Sequence, residues 1–182
     1  MIKKTICIIV LALHMIPLSA RHHDKKSLRL SKVEQRVSTD ILNQLLANEF
    51  VLMMQTLHYH WNLLGDEFHD YHLLFDKQYN QLFTDIDLIA ERIRAVGGKA
   101  LGSLYDMTQY ASLKEDRKKT PEPKKMVHNL VKQYEYHTSD IRNGIKKLDD
   151  QTQDYGSKKM LEDLLEQHEK TAWMLRLLTG KQ

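Results

Sequence analysis

Positions 33–62 contain neither glycine nor proline, and across them Val37, Ile41, Leu45, Phe50, Leu52 and Leu57 recur at helical spacings. That pattern predicts one long first helix. Gly65 ends it, and Asp66 is expected to cap a second, in which Phe68, Tyr71, Leu74, Phe75, Leu82, Ile86, Ile89 and Ile93 mark one side up to Gly97-Gly98. Two antiparallel helices result. The stretch 101–113 is too short for a full bundle member and reads as a connection carrying a small helix. Pro121 and Pro123 open a third long helix to about Leu148, the polar run Asp149-Asp150-Gln151-Thr152-Gln153-Asp154 interrupts the pattern, and a last helix is expected over 157–178. With only 7 glycines and 3 prolines there is little turn chemistry for a many-stranded sheet. The fold class is therefore all-α, a four-helix bundle with a short extra helix between helices 2 and 3.

The 182 residues suit one domain with short extensions. Residues 1–20 have the form of a signal peptide: Lys3 and Lys4, an apolar run, Pro17, then Leu18-Ser19-Ala20 as a cleavage site. A cleaved signal would mean export or a periplasmic location; without cleavage a cytoplasmic one is expected. Residues 21–32 carry Arg21, His22, His23, Lys25, Lys26, Arg29 and Lys32 and suit a flexible basic arm. The domain proper is then 33–182. No stable membrane span is expected. The formal net charge of +3 is too small for the field of a dedicated nucleic-acid binder. Cys7 is the only cysteine, so any metal has to be held by His, Asp and Glu.

On the second helix His72 and Asp76 are four residues apart, as are Asp87 and Glu91, so each pair projects from one face as two metal-ligand candidates. All four fall within an arc of roughly 100° on that helix, a face that simple packing on the bundle core would make apolar. Asp76 and Asp87 are nonetheless roughly 16 Å apart along the axis, too far for one centre to use both pairs from one chain. A two-fold axis crossing near Gln81 and Leu82 would set Asp87 and Glu91 of a second copy opposite His72 and Asp76 of the first. His60, just before the turn at Gly65, is the expected fifth ligand. Mixed imidazole and carboxylate donors suit Fe(II), Zn(II) or Mn(II). No glutamate has a histidine three residues later, so the usual Glu-x-x-His centre inside one subunit is not expected.

The segments His60-Trp61-Asn62-Leu63-Leu64-Gly65, His72-Leu73-Leu74-Phe75-Asp76 and Asp87-Leu88-Ile89-Ala90-Glu91-Arg92 closely resemble the signature of the Dps family, the mini-ferritins, over a stretch from about residue 37 to 181. The resemblance implies a ferritin-like bundle, twelve subunits in a hollow shell, and a di-iron ferroxidase centre at the subunit interface. His60, His72 and Asp76 would come from one chain and Asp87 and Glu91 from its two-fold mate. It implies Fe(II) and hydrogen peroxide as substrates, Fe(III) mineral as the stored product, and protection against oxidative damage. Trp61 resembles the family tryptophan beside the centre and has a supporting role there, as radical trap or interface anchor. Asp149, Asp150 and Asp154 resemble the acidic run that lines iron pores at three-fold axes; a helix-capping loop is the other reading of the same residues. His58 and His69 match no family ligand. Two other functions stay open: nonspecific DNA binding by a shell bearing many basic arms, and a ferritin-like cage without ferroxidase activity.

Overall fold

The computed structural model describes residues 30–116 and 120–180 and, within them, five helices: α1 Lys32–Asn62, α2 Phe68–Ala95, α3 Leu104–Tyr110, α4 Pro123–Gln151 and α5 Tyr155–Leu178. The all-α expectation holds. The segment 1–20 and residues 21–29 of the basic segment lie outside the described residues, as do 117–119 and 181–182. Ser31 and Lys32 belong to the bundle rather than to an arm, because Ser31 and Glu34 form a reciprocal capping box that starts α1. Among the described residues no helix is long and apolar enough to cross a membrane.

Three local expectations are corrected. Asp66 does not cap α2: the N-cap is Glu67, without a side-chain cap bond, and the turn is made instead by Gly65 at φ +115°. Helix α4 does not stop at Leu148 but runs through Asp149 and Asp150 to Gln151, with Asp150 bonded to Lys146 one turn back at 2.7 Å and Asp149 to Lys158 of α5 at 2.5 Å. The interruption is the three residues 152–154. There Asp154 takes the N-cap of α5 and accepts from the Ser157 backbone N–H at 3.0 Å, so α5 begins at Tyr155, two residues earlier than expected.

Helices α1 and α2 pair through a short turn, as do α4 and α5, and α1 also packs on α4 and on α3. Helix α1 is consequently buried almost all round, from Ile41 through Leu42, Leu45, Leu46, Val51 and Leu52 to Tyr59. Its polar residues hold the long crossover. Asn43 donates to the Lys99 carbonyl and accepts from Leu101 N–H, while Asn48 accepts from the backbone N–H groups of Ser112 and Leu113 and donates to Asp140. Those bonds satisfy backbone that has no helix or strand of its own.

The far end of α2 is fixed in a similar way. Arg92 donates to Ser157 Oγ at 2.9 Å and pairs with Asp154, whose side chain is buried. Burial raises the Asp154 pKa, but the Ser157 hydroxyl and N–H and the Arg92 charge outweigh it and hold the group below the ordinary carboxylate value. Gly156 leaves the room: a Cβ there would lie 2.6 Å from an Arg92 guanidinium nitrogen.

Candidate metal centre

The apolar side of α2, made of Tyr71, Phe75, Leu82, Ile89 and Ile93, turns into the bundle. On helical geometry the stripe of His72, Asp76, Asp87 and Glu91 is centred roughly 140° away from it. The expectation that this face would otherwise pack on the bundle core is thus revised, because the four donors lie on the side of α2 that the bundle leaves uncovered. His72 and Asp76 are half-buried, Asp87 and Glu91 exposed.

His60 is brought to His72 as expected, the two rings stacking with centroids 3.8 Å apart. His60 Nδ1 lies 3.1 Å from the backbone carbonyl of His72. A carbonyl oxygen can only accept, so Nδ1 carries the proton and Nε2 keeps its lone pair for a metal. Phe68 stacks on His72 with centroids 4.9 Å apart, which fixes that imidazole between two rings. His72 Nδ1 is buried and has no hydrogen-bond partner, an uncompensated donor or acceptor of the sort a bound ion would satisfy.

Asp76 is oriented by its own helix. Tyr79 donates to its Oδ1 at 2.7 Å, Asn80 reaches Oδ2 at 3.4 Å, and the Tyr79 ring meets His60 edge-on at 5.2 Å. The bond to Asp76 raises the Tyr79 pKa, so the phenol stays a donor. His60, His72 and Asp76 therefore lie at one end of α2, linked by the His60–His72 stack and through Tyr79, without their donor atoms closing into one group. Asp87 and Glu91 of the same chain do not join them, as the axial spacing required. The midpoint of 72 and 91 coincides with that of 76 and 87, between Gln81 and Leu82, and one residue on stands Phe83, 65% exposed. Trp61, Leu73 and Phe68 add further exposed apolar surface around the three donors. His58 and His69 are not drawn in: His58 serves as acceptor for Asn62, and His69 is exposed.

The acidic run divides. Asp154 is buried, with its carboxylate committed to Arg92 and Ser157, whereas Asp149 and Asp150 are exposed and paired with Lys158 and Lys146. The capping reading accounts for Asp154.

A second group of donors was missed from the sequence. Glu49 of α1 is fully buried and accepts at one oxygen from His137 of α4 at 2.9 Å and from His168 of α5 at 2.6 Å. Burial pushes the Glu49 pKa up, but the two imidazoles overcome it and hold it at about 2. Burial pushes the His168 pKa down, and the charge and hydrogen bond of Glu49, with Asp85 behind them, turn the net shift upward. The lack of a Glu-x-x-His motif had left the bundle interior without expected donors, but the motif is only one way to bring such groups together. The available signal was register: Glu49 falls among Leu45, Leu46 and Leu52, His137 between Tyr134 and Ile141, and His168 between Leu164 and Ala172, all at core-facing positions.

Comparison with known proteins gives one consistent result. The family model for the ferritin-like domain matches residues 39–181. A low temperature-induced protein of Nostoc is 40% identical over 79% of this chain and 80% of its own length. DNA protection during starvation protein 2 of Bacillus anthracis is 31% identical over 75% of this chain and 92% of its own. Among solved structures, the Dps protein of Vibrio cholerae O1, described as one of the ferritin-like diiron-carboxylate proteins, superposes with a TM-score of 0.75 at 28% identity, covering 79% of this chain and 89% of that one. Dps from Listeria monocytogenes gives 0.75 at 26% identity, covering 79% and 94%.

Proposed function

Because the chain belongs to the Dps, or mini-ferritin, family of ferritin-like proteins, we propose that it is the subunit of a hollow twelve-membered cage that oxidises Fe(II) at sites shared between two-fold mates and stores the Fe(III) product as mineral. Hydrogen peroxide is the preferred oxidant. The observation that carries this reading is the half-site on the uncovered side of α2: stacked His60 and His72 beside Asp76, with the complementary Asp87 and Glu91 offset along the same stripe.

Neither half suffices for a pair of metal ions. Two imidazole nitrogens and one carboxylate from one chain, with two carboxylates from the other, make a donor set suited to Fe(II) that leaves coordination positions open for an oxidant. The His60 proton bound to the His72 carbonyl keeps Nε2 available, and Tyr79 holds Asp76 in place. Two Fe(II) ions supply one electron each, and one peroxide takes both electrons and two protons to become two waters. No hydroxyl radical is released in that balance. Phe83, Leu73 and Trp61 supply the apolar contact that would bring the two halves together.

The test is peroxide consumption on adding Fe(II) to wild type, to His60→Ala/His72→Ala, to Asp87→Ala/Glu91→Ala, and to a reassembled mixture of the two variants. Both variants should be slow, and the mixture should regain activity because a mixed dimer rebuilds one intact site. Wild-type rates in both variants would remove the ferroxidase reading. A mixture that stays slow after confirmed subunit exchange would remove the shared site.

A second reading, binding of duplex DNA by the shell, draws on the basic residues of 21–32 and on relatives named for DNA protection. Binding that weakens steeply with salt would support it; no binding at low salt would end it.

A further inference from the structure

Outside the α2 half-site, the side chains that most resemble a ligand set are Glu49, His137 and His168. Their donor atoms lie within 4.8 Å of one another, and all three residues are buried. We propose that they form a second site, wholly inside one subunit, for a single divalent transition-metal ion.

The donors come from α1, α4 and α5, three rigid helices of one packed core, so their separation is set by the bundle and not by a loop. Both histidines present Nε2 to the same carboxylate oxygen at 2.9 and 2.6 Å. Around a metal with bonds of about 2.0–2.2 Å, neighbouring donor atoms stand about 3.0–3.6 Å apart, so the rings need to part by up to about 1 Å. The ion would take the place of the two Nε2 protons. The other carboxylate oxygen, Glu49 Oε2, is buried without a partner. Hydrogen bonding alone therefore leaves this group incomplete.

One of the three residues, His168, borders a cavity. This cavity, of about 240 Å³ between α2 and α5, is lined by Gln78, Asp85, Tyr134, Gln167 and His168 among others. Asp85 is the fourth helix's contribution: its carboxylate, held by Gln81 and Gln167, adds negative charge at the mouth on the side of His168. Gln78 also faces this cavity, with both of its amide atoms buried and unpartnered. Lys77 and Lys170 also line this cavity, so Asp85 is the carboxylate that offsets their charge next to His168. The donor set of Glu49, His137 and His168, two nitrogens and one carboxylate, suits Fe(II), Co(II) or Zn(II) and disfavours Ca(II) and Mg(II).

The test uses full-length assembled protein in which His60→Ala, His72→Ala, Asp87→Ala and Glu91→Ala remove four of the five donors of the proposed shared site. After chelator treatment it is loaded with Co(II) without oxygen and desalted, and bound cobalt is counted and its visible ligand-field absorption recorded. We expect about one Co(II) per chain, with binding at least tenfold weaker when Glu49→Gln is added. No retained cobalt, or retention unaffected by Glu49→Gln, overturns the proposal. Should the Glu49→Gln protein fail to assemble, wild-type crystals soaked in Co(II) decide: an anomalous peak between the three side chains supports the site, and its absence there overturns it. Failure here leaves the peroxide test untouched, because that test varies only α2 and His60 and keeps Glu49 intact.

Discussion

Replacing Gly156 by alanine sets two effects against each other. Gly156 is the second residue of α5, and alanine there gains helix propensity and loses unfolded-state entropy, together up to about 1 kcal/mol of stabilisation. The new Cβ, however, would lie 2.6 Å from Arg92 Nη2 and 2.9 Å from its Cζ, so the guanidinium has to leave. Leaving breaks its bond to Ser157 and strips the charge partner from Asp154. Complete loss of a partner from a buried ion pair costs about 3–5 kcal/mol. Asp154 would still accept from the Ser157 N–H and hydroxyl, and Arg92 is partly exposed, so about 2–3 kcal/mol is the reasonable loss.

The clamp should therefore win by about 1–2 kcal/mol, a fall of about 3–6 °C in thermal midpoint for a subunit of this size. The decisive comparison is with Arg92→Ala already present. There the clash and the clamp are both gone, only the propensity gain remains, and Gly156→Ala should raise the midpoint by about 2 °C. Midpoints are compared at one protein concentration on matched assemblies, since dissociation would shift them on its own. A Gly156→Ala change that stabilises wild type as much as it stabilises Arg92→Ala would refute the reasoning, because Arg92 would then have yielded at no cost.

Tyr79→Phe removes the 2.7 Å bond to Asp76 without changing the ring, and should weaken Zn(II) or Fe(II) binding at the α2 site about tenfold in a chelator competition while leaving the thermal midpoint nearly unchanged. Phe83→Lys would put two like charges near the two-fold axis; light scattering should report smaller species, circular dichroism an unchanged helix content, and the peroxide assay at least a tenfold loss. The pair of Glu49 and His168 predicts a pH window in metal-free protein. Glu49, held at about 2 against an ordinary 4.5, contributes stability above about 4.5 that is lost as pH falls toward 2, whereas His168, raised above 6.5, contributes stability below 6.5 that is lost as pH climbs through its raised value. The midpoint difference between wild type and Glu49→Gln should accordingly be largest near pH 4.5–6.5 and shrink on both sides; a difference constant with pH would contradict the ion-pair account.

What could be read from the sequence was whatever is encoded locally. Glycine-free apolar runs marked α1 and α2, and spacings of four on α2 marked the two donor pairs and their separation. His60 followed because one short turn links α1 to α2. Non-local pairings were out of reach. Asp149 and Asp150 read as a helix break because the lysine that bonds Asp150 counts only once the helix exists, and Asp66 read as a cap because the turn expected at Gly65 does not reveal that α2 starts one residue later, after Glu67. Arg92, noticed only as the last letter of a motif, turns out to tie α2 to the start of α5, next to Glu91. Glu49, His137 and His168 are scattered over more than a hundred positions, and only three helices packed side by side make them neighbours.

The two donor groups differ in what they need. Glu49, His137 and His168 are complete in one folded chain, so anything they bind would be fixed at folding and would not sense assembly. On α2 the donors are split across a spacing that one helix cannot close, and they lie opposite the bundle-facing side among exposed Phe83, Leu73 and Trp61. Under the proposed function, chemistry at that site would exist only where two subunits have already met. For a protein that would produce insoluble Fe(III), the proposed arrangement would have a direct consequence: a free subunit would lack a complete oxidation site, and oxidation would begin only after subunits have paired. The mixing experiment and Phe83→Lys probe that link from opposite sides, one by restoring a split site without changing the contact, the other by breaking the contact without touching a ligand.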